Sequence, residues 1–273
     1  MCQGERVPDD DFIDRCVARI RDEVPDAIAI LLGGSHLRGD AGPDSDVDFD
    51  VLVVEPRDEW PSLFEVVDGR LVRISVWIRS VDEWLAGADE PQDWAFFLPS
   101  TDRMRLCWAA DDTWRQELDR TSIGHPAGPP EIDHFEGEVG KVVNAVRRSD
   151  DLALRLAAQD LARSIISLLQ PFNPRPPVES RVAALRTLLD FDVVPAGYRD
   201  DILACLALDG RATTSSDLYA AATRLTVGVL DIMAAHPDVL APLVPADAAA
   251  HLADGSLRRY IEQVLGRNGS GVG

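Results

Sequence analysis

The stretch that most constrains this chain runs from residue 31 to residue 54 and reads LLGGSHLRGDAGPDSDVDFDVLVV. Its second half alternates acidic and apolar residues, with Asp46, Asp48 and Asp50 separated by single apolar side chains. Because side chains alternate along a strand, we expect the three carboxylates to project from one face, with neighbouring Cα atoms about 6.6–6.8 Å apart. Carboxylates this close repel one another unless a cation neutralises them, and Mg²⁺ prefers carboxylate oxygens together with water and phosphate.

A glycine turn precedes this acidic strand. The apolar run 27–32 predicts a short buried strand that ends at Gly33, Gly34 and Ser35. Two residues without side chains let backbone N–H groups approach a ligand, and Ser35 can add a hydroxyl donor. A plain turn and a solvated strand edge would each explain one half of this stretch. The two halves at this spacing favour phosphates held beside a metal ion.

The stretch resembles the signature of the nucleotidyltransferase superfamily of polymerase-β-like fold. That signature is a strand, a Gly-Gly-Ser turn, a short helix and two aspartates separated by one apolar residue. Arg38, followed by Gly39 and Asp40, resembles a basic element of many bacterial members. The resemblance implies contacts to the triphosphate of ATP or another NTP from Gly33, Gly34, Ser35 and Arg38, and Mg²⁺ ligation by Asp46 and Asp48.

One position departs from the family pattern. Members usually place a third carboxylate on a later strand, and the corresponding strand here, LVRISVWI, offers Ser75. Either Asp50 completes the site, or the register differs, or the activity is weakened. On the first alternative, Asp50→Asn lowers kcat by about tenfold or more and Ser75→Ala changes little.

The chain is predicted to have two domains. Helical and strand patterns are mixed up to residue 118, glycine and proline cluster at 123–130, and nearly everything beyond has helical periodicity. The fold class is therefore α+β, with a mixed α and β domain (1–125) followed by an all-α helical bundle (131–267). The resemblance implies that the first domain is a polymerase-β-like nucleotidyltransferase domain, with a mixed sheet flanked by helices. The helical segments are predicted at 131–149, 151–169, 178–190, 197–208, 214–235 and 256–266.

The first helix of the bundle carries Glu138 and the only lysine of the chain, Lys141. Their spacing of three places them on one helical face, which is also the spacing of an ordinary surface ion pair. The segment resembles antibiotic nucleotidyltransferases of the kanamycin type, whose corresponding helix offers a lysine to phosphate and sometimes a glutamate as base. This resemblance implies that Lys141 contacts the nucleotide and that Glu138, or Asp50, accepts a proton from the acceptor, which would bind between the domains.

Charge and composition limit the partners. The chain has 47 acidic and 27 basic residues, a net charge of −20, which disfavours nucleic acid and attracts cationic small molecules. No apolar run approaches the roughly 18–20 residues of a membrane span, and Asp9, Asp10 and Asp11 lie where a signal peptide would be basic and apolar, so we expect a cytoplasmic protein. The four cysteines lack metal-ligand spacing, which predicts free thiols. The oligomeric state, a dimer included, stays open.

These features favour transfer of a nucleoside monophosphate, AMP from ATP, onto a hydroxyl of a small cationic molecule such as an aminoglycoside-like compound, with pyrophosphate as the leaving group. Two alternatives remain. One is an AMP-transferase acting on proteins, of the antitoxin type, against which the long helical half argues. The other is a nucleotide-binding or interaction protein of the same fold with weakened catalysis.

Overall fold

The chain divides into two compact units in a computed structural model. The first unit comprises Met1–Glu90 and Ser100–Pro126, and the second comprises Pro91–Pro99 and Ala127–Gly273. The sequence analysis includes residues 91–99 in the first domain, whereas they pack within the second unit. The structure describes residues 10–42, 44–55, 57, 61–67, 69–118, 122–210 and 213–266.

The first unit is a mixed sheet with helices on both faces, which confirms the predicted fold class. Its strands are β1 (Ala29–Leu32), β2 (Val47–Val53), β3 (Ser62–Val67), β4 (Arg70–Ser80), β5 (Ser100–Arg103), β6 (Arg105–Ala109) and β7 (Ser122–His125). Five of them form one sheet in the order β3-β4-β2-β1-β6, in which only β2 and β4 are parallel neighbours. The helices are α1 (Asp10–Glu23), α2 (Gly34–Arg38), α3 (Val81–Ala86) and α4 (Asp112–Glu117).

Two cores lie on opposite faces of this sheet. The apolar stripe of α1 is buried as its spacing predicts, and it packs in one core with Val47, Phe49 and Val51 of β2. The other core contains Leu31, Leu52 and residues of α3 and α4. Successive residues of β2 therefore face opposite sides of the sheet, because side chains alternate along a strand.

Strands β5 and β7 form a separate antiparallel pair, which the sequence analysis does not predict. The glycine and proline cluster at 123–130 is typical of a linker, but His125 lies opposite Ser100 and Ile123 opposite Asp102 in this pair. Glycine and proline nearby give the segment the composition of a loop. Pairing with a strand about twenty residues upstream overrides that local tendency.

The second unit is helical, as predicted. Its α-helices are α5 (Ile132–Arg147), α6 (Asp151–Leu169), α7 (Arg181–Leu189), α8 (Tyr198–Cys205), α9 (Ser215–Ala235), α10 (Pro237–Leu240), α11 (Ala246–Ala253) and α12 (Ser256–Val264). Side-chain caps explain several starting points: Asp150, Ser180 and Thr214 each accept a hydrogen bond from a backbone N–H in the first turn. Helices α10 and α11 lie outside the predicted helical segments. Proline usually interrupts a helix, but Pro237 lies in the first turn of α10, a position that suits it.

Helix α9 is long and apolar enough, by length and composition alone, to cross a membrane. This differs from the expectation that no apolar run approaches the length of a membrane span, because polar residues such as Arg224 and Asp231 interrupt the apolar side chains of α9. Leu218, Leu225 and Val229 of α9 are buried in the core of the second unit. A core helix of this composition needs no lipid to cover its apolar side chains.

The described cysteines are free thiols, as predicted. Cys16 and Cys205 are buried and Cys107 is half-buried. Burial raises the pKa of Cys16 and of Cys205 to about 12, so both stay protonated. Cys2 lies outside the described residues.

Candidate active site

The aspartate face is the side of β2 that carries Asp48 and Asp50, together with Asp46, which directly precedes the strand. The alternation predicted for this segment is confirmed, because Val47, Phe49 and the later valines are buried on the opposite face. Asp48 is half-buried and Asp50 is buried, with only 6% of its surface exposed. The face therefore presents carboxylates of graded accessibility along one line.

The glycine turn lies directly against Asp48. Gly33 donates its backbone N–H to the carbonyl oxygen of Asp48 at 2.9 Å. Gly34 has φ +68°, and a Cβ at that position would lie 2.0 Å from Asp48 Oδ2. A side chain at residue 34 would thus collide with the carboxylate and force a strained backbone. The backbone of the glycine turn therefore approaches Asp48 closely, as the sequence pattern indicates.

Helix α2 brings Arg38 towards the same carboxylate. The charge of Arg38 lowers the pKa of Asp48, although burial and Asp46 act more strongly in the other direction. Arg38 also lies 3.3 Å from Asp40, in an ion pair at the end of the helix. Ser35 lies in the first turn of α2, where its carbonyl oxygen accepts hydrogen bonds from residues 39 and 40. Gly34, Ser35 and Arg38 thus lie on one short helix beside the aspartate face.

Ser75 is the neighbour of the aspartate pair on β4. The parallel register places Asp48 opposite Ser75, so the strand predicted to carry a third carboxylate does run beside the pair. Ser75 Oγ donates a hydrogen bond of 2.7 Å to Asp46 Oδ2, and Arg73 Nη1 lies 3.8 Å from the same oxygen. A hydroxyl and a guanidinium therefore face Asp46 from β4.

The aspartate pair has the donor set of a hard cation. Burial and the charge of Asp46 raise the pKa of Asp48 from 3.8 to about 6, so the ionised pair is disfavoured without a compensating positive charge. In proteins Mg²⁺ is commonly bound by one or two carboxylates, with water and phosphate oxygens as the remaining ligands. Among the described residues no group of three or more His, Cys, Asp or Glu side chains converges as a metal site. Asp46 and Asp48 fit a divalent ion as two protein ligands.

Asp50 faces a different environment from the pair. Its Oδ1 lies 3.3 Å from Arg79 Nε, and its Oδ2 is buried without a hydrogen-bond partner among the described residues. Burial raises the pKa of Asp50 to about 6, with Arg79 opposing the shift and the charge of Asp102 adding to it. Asp50 shares the aspartate face, as predicted, and it lies beneath the surface.

Glu138 and Lys141 form an ion pair on α5, in the second unit. Lys141 Nζ lies 2.6 Å from Glu138 Oε1, and His134 Nε2 lies 3.6 Å from the same oxygen. The hydrogen bond to Glu138 raises the pKa of Lys141. Glu138 is 1% exposed and the Lys141 side chain 63% exposed. The predicted pair on one helical face exists, with a buried acid and an accessible ammonium.

Sequence reasoning missed Asp102 and His125. Asp102 Oδ2 lies 2.9 Å from His125 Nε2, and the charge of Asp102 acts on Asp50. The two residues come together through the pairing of β5 with β7, which local sequence patterns do not reveal. The one sequence signal is a polar residue within each short strand.

Two family models match this chain. Residues 13–88 match the nucleotidyltransferase domain, and residues 131–235 match the substrate-binding domain of nucleotidyltransferases. The chain belongs to the nucleotidyltransferases. The first match contains the glycine turn, the aspartate face and Ser75, and the second contains Glu138 and Lys141. This confirms the resemblance on which the sequence analysis relies, and it shows a nucleotidyltransferase enzyme with a nucleotide substrate and a domain for an acceptor.

Other comparisons add little to this nucleotidyltransferase assignment. A crystal structure of a nucleotidyltransferase-like protein from Exiguobacterium sibiricum 255-15 aligns with a TM-score of 0.38 and 11% identity, over 85% of this chain and 78% of that one. No curated protein sequence matches significantly.

Proposed function

We propose that this nucleotidyltransferase transfers AMP from ATP, with Mg²⁺, onto a hydroxyl of a small cationic molecule of aminoglycoside-like chemistry. The observation that carries the proposal is the contact between Gly34 and Asp48. At residue 34 a side chain would meet the Asp48 carboxylate and strain the backbone, so the glycine lets the turn lie directly beside the proposed metal ligand, where a phosphate is expected.

The nucleotide contacts follow from the glycine turn. The Gly34 backbone N–H and the Ser35 hydroxyl bind phosphate oxygens, and Arg38 supplies positive charge beside them. The Gly33 N–H is bonded to the Asp48 carbonyl oxygen, so Gly33 holds the turn in place for these contacts. Asp46 and Asp48 hold Mg²⁺, which when bound neutralises charge on the phosphates. Ser75 orients Asp46 through its hydrogen bond of 2.7 Å. From the second unit, Lys141 is the candidate for a further phosphate contact.

The acceptor class follows from charge and domain content. A net charge of −20 attracts cations, and residues 131–235 match a substrate-binding domain. A domain devoted to an acceptor supports a small-molecule substrate over a protein substrate. For the acceptor's proton the sequence analysis offers Asp50 or Glu138. A cytoplasmic location remains part of this proposal.

Weakened catalysis is the second candidate, and one observation favours it. The position beside the aspartate pair on β4 is Ser75, which contributes a hydroxyl where relatives place a carboxylate. A chain of this kind would still bind Mg·ATP and would release little pyrophosphate.

Formation of an AMP-modified acceptor separates an active transferase from a protein with weakened catalysis. Full-length protein is incubated with Mg·ATP and a panel of aminoglycosides, with neutral sugars as the control panel, and the product mass is measured. We expect the mass of an added AMP on a cationic acceptor and no product without Mg²⁺. Binding of Mg·ATP by calorimetry without product on any acceptor would favour the weakened alternative, and absence of both would refute nucleotidyl transfer.

A further inference from the structure

The proposed reaction needs an accessible group that takes the proton of the acceptor hydroxyl. A general base must come within hydrogen-bond reach of the substrate hydroxyl. Asp50 is 6% exposed and faces Arg79, and Glu138 is 1% exposed and faces Lys141. Neither carboxylate is open to a substrate molecule as it stands.

Asp102 lies beside the aspartate face and is accessible. It directly precedes Arg103 and Met104, which run against the glycine turn: a Cβ on Gly33 would lie 3.6 Å from the Arg103 carbonyl oxygen and 3.1 Å from Met104 Sδ. Strand β5, which carries Asp102, also packs against helix α2. The side chain of Asp102 is 34% exposed. An accessible carboxylate thus lies on a strand that packs against the helix of the glycine turn.

His125 holds this carboxylate in place. Its side chain is only 4% exposed, and its Nε2 lies 2.9 Å from Asp102 Oδ2. An ionised carboxylate only accepts hydrogen bonds, so the ring N–H of His125 donates. The contact runs diagonally across the β5–β7 pair, in which Asp102 lies opposite Ile123 and His125 opposite Ser100. A buried imidazole that orients an accessible carboxylate is the arrangement of a base with its positioning residue.

We propose that Asp102 is the catalytic base of the nucleotidyl transfer and that His125 positions it, an inference that rests on the proposed function. The acceptor oxygen forms a bond to the α-phosphorus of ATP as the bond from that phosphorus to the bridging oxygen breaks. The electron pair of the broken bond leaves with pyrophosphate. The hydroxyl proton passes to the free oxygen of Asp102.

The first test replaces the base without removing its contact. Asparagine at residue 102 still offers an oxygen to His125, so Asp102→Asn keeps the hydrogen bond and the fold. We expect kcat with Mg·ATP and an aminoglycoside that the wild-type protein modifies to fall about 100-fold or more, with the Kd for Mg·ATP and the Tm unchanged. Asp22→Asn, an exposed aspartate of α1, is the matched control and keeps wild-type kcat.

Chemical rescue and the positioning residue make the test specific. In Asp102→Gly, added formate restores part of kcat, which a carboxylate with a purely structural role would not allow. His125→Gln keeps a donor and loses less kcat than His125→Leu, and neither changes the Kd for Mg·ATP.

The outcomes separate this inference from the proposed function. Wild-type protein that modifies an aminoglycoside while Asp102→Asn keeps kcat within about twofold overturns the inference alone. The same holds if Asp102→Gly loses activity that formate does not restore. Wild-type protein that modifies none of the panel overturns the proposed function, and this inference with it.

Discussion

Ser75 donates a hydrogen bond of 2.7 Å to Asp46, across the parallel register that places Asp48 opposite the same serine. The strand on which the family resemblance leads us to expect a third carboxylate thus supplies a hydroxyl that holds the first aspartate of the pair. Arg73, two residues earlier on that strand, brings a positive charge to 3.8 Å from Asp46. Asp46 is therefore oriented by neighbours on β4 before any ligand binds.

Removal of this hydrogen bond should be visible in the kinetics. From the sequence alone Ser75→Ala is expected to change little, but loss of a hydrogen bond to a charged group costs about 1.5–3 kcal/mol. We now expect kcat to fall about tenfold and the Mg²⁺ concentration for half-maximal activity to rise. Titration of Mg²⁺ in the transfer assay measures both. Ser122→Ala, at an exposed position of β7, is the control, and equal kinetics for the two variants would contradict the role of Ser75.

A side chain at residue 34 should abolish transfer. In Gly34→Ala the added Cβ would lie 2.0 Å from the present position of Asp48 Oδ2, so the carboxylate must move away from the turn. Gly39→Ala is a matched control, since Gly39 has φ +79° but no atom within 4 Å of the added Cβ. Both variants should lose stability from backbone strain, and only Gly34→Ala should lose activity. If both retain activity, the contact between the turn and Asp48 has no catalytic role.

The aspartate pair should be required for transfer and should lower the stability of the metal-free folded state. Asp46→Asn and Asp48→Asn should each remove Mg²⁺-dependent transfer. The pKa of Asp48 is raised from 3.8 to about 6, so the folded state keeps this proton to higher pH than the unfolded state and loses stability as pH rises between those values. Asparagine has no titrating carboxyl group, so Asp48→Asn does not lose stability in this pH range. Without metal, the Tm of Asp48→Asn should exceed that of wild type at about pH 7.5 and approach it near pH 4.

Two results would contradict this account of the pair. Near-wild-type turnover in either variant would exclude the metal site. A Tm of Asp48→Asn below that of wild type at about pH 7.5, by an amount that shrinks as the pH is lowered, would show that Asp48 is stabilised as a carboxylate by a partner.

Asp50 should behave as a buried support of the site. Asp50 is 6% exposed and lies 3.3 Å from Arg79, so Asp50→Asn removes the negative charge that faces this half-exposed guanidinium beside the aspartate face. We expect kcat to fall by about tenfold, less than for Asp102→Asn. The pKa of Asp50, raised to about 6, predicts a gain in Tm at pH values above 6 that fades below. Steady-state kinetics that match wild type would limit Asp50 to a structural role.

Lys141 tests the link between the second unit and the nucleotide. Lys141→Ala should raise the KM for ATP and lower kcat/KM, with partial recovery in Lys141→Arg because the guanidinium approaches phosphate differently. The same change strips Glu138, 1% exposed, of its partner at 2.6 Å and so should lower the Tm. Glu138→Gln combined with Lys141→Ala should recover the Tm. A KM for ATP that stays at the wild-type value in Lys141→Ala would make Lys141 a partner of Glu138 alone.

Local patterns predicted much of the first unit. The apolar spacing of α1 and the alternation of β2 each report which side of an element is buried, and both were confirmed. The pairing of β5 with β7 could not be predicted in this way. Their backbone hydrogen bonds join residues such as Ser100 and His125, and no local periodicity records which distant segment completes such a ladder.

The sequence by itself determined that Asp46, Asp48 and Asp50 share a strand face behind a glycine turn, because a period of two and the absence of side chains are local properties. Only the tertiary structure decided how the three differ. Packing buried Asp50 against Arg79, register gave Asp46 a hydroxyl from Ser75, and close approach left Gly34 no room for a Cβ. Burial and pairing are non-local, so they set the charge and accessibility of each carboxylate only once the chain has folded.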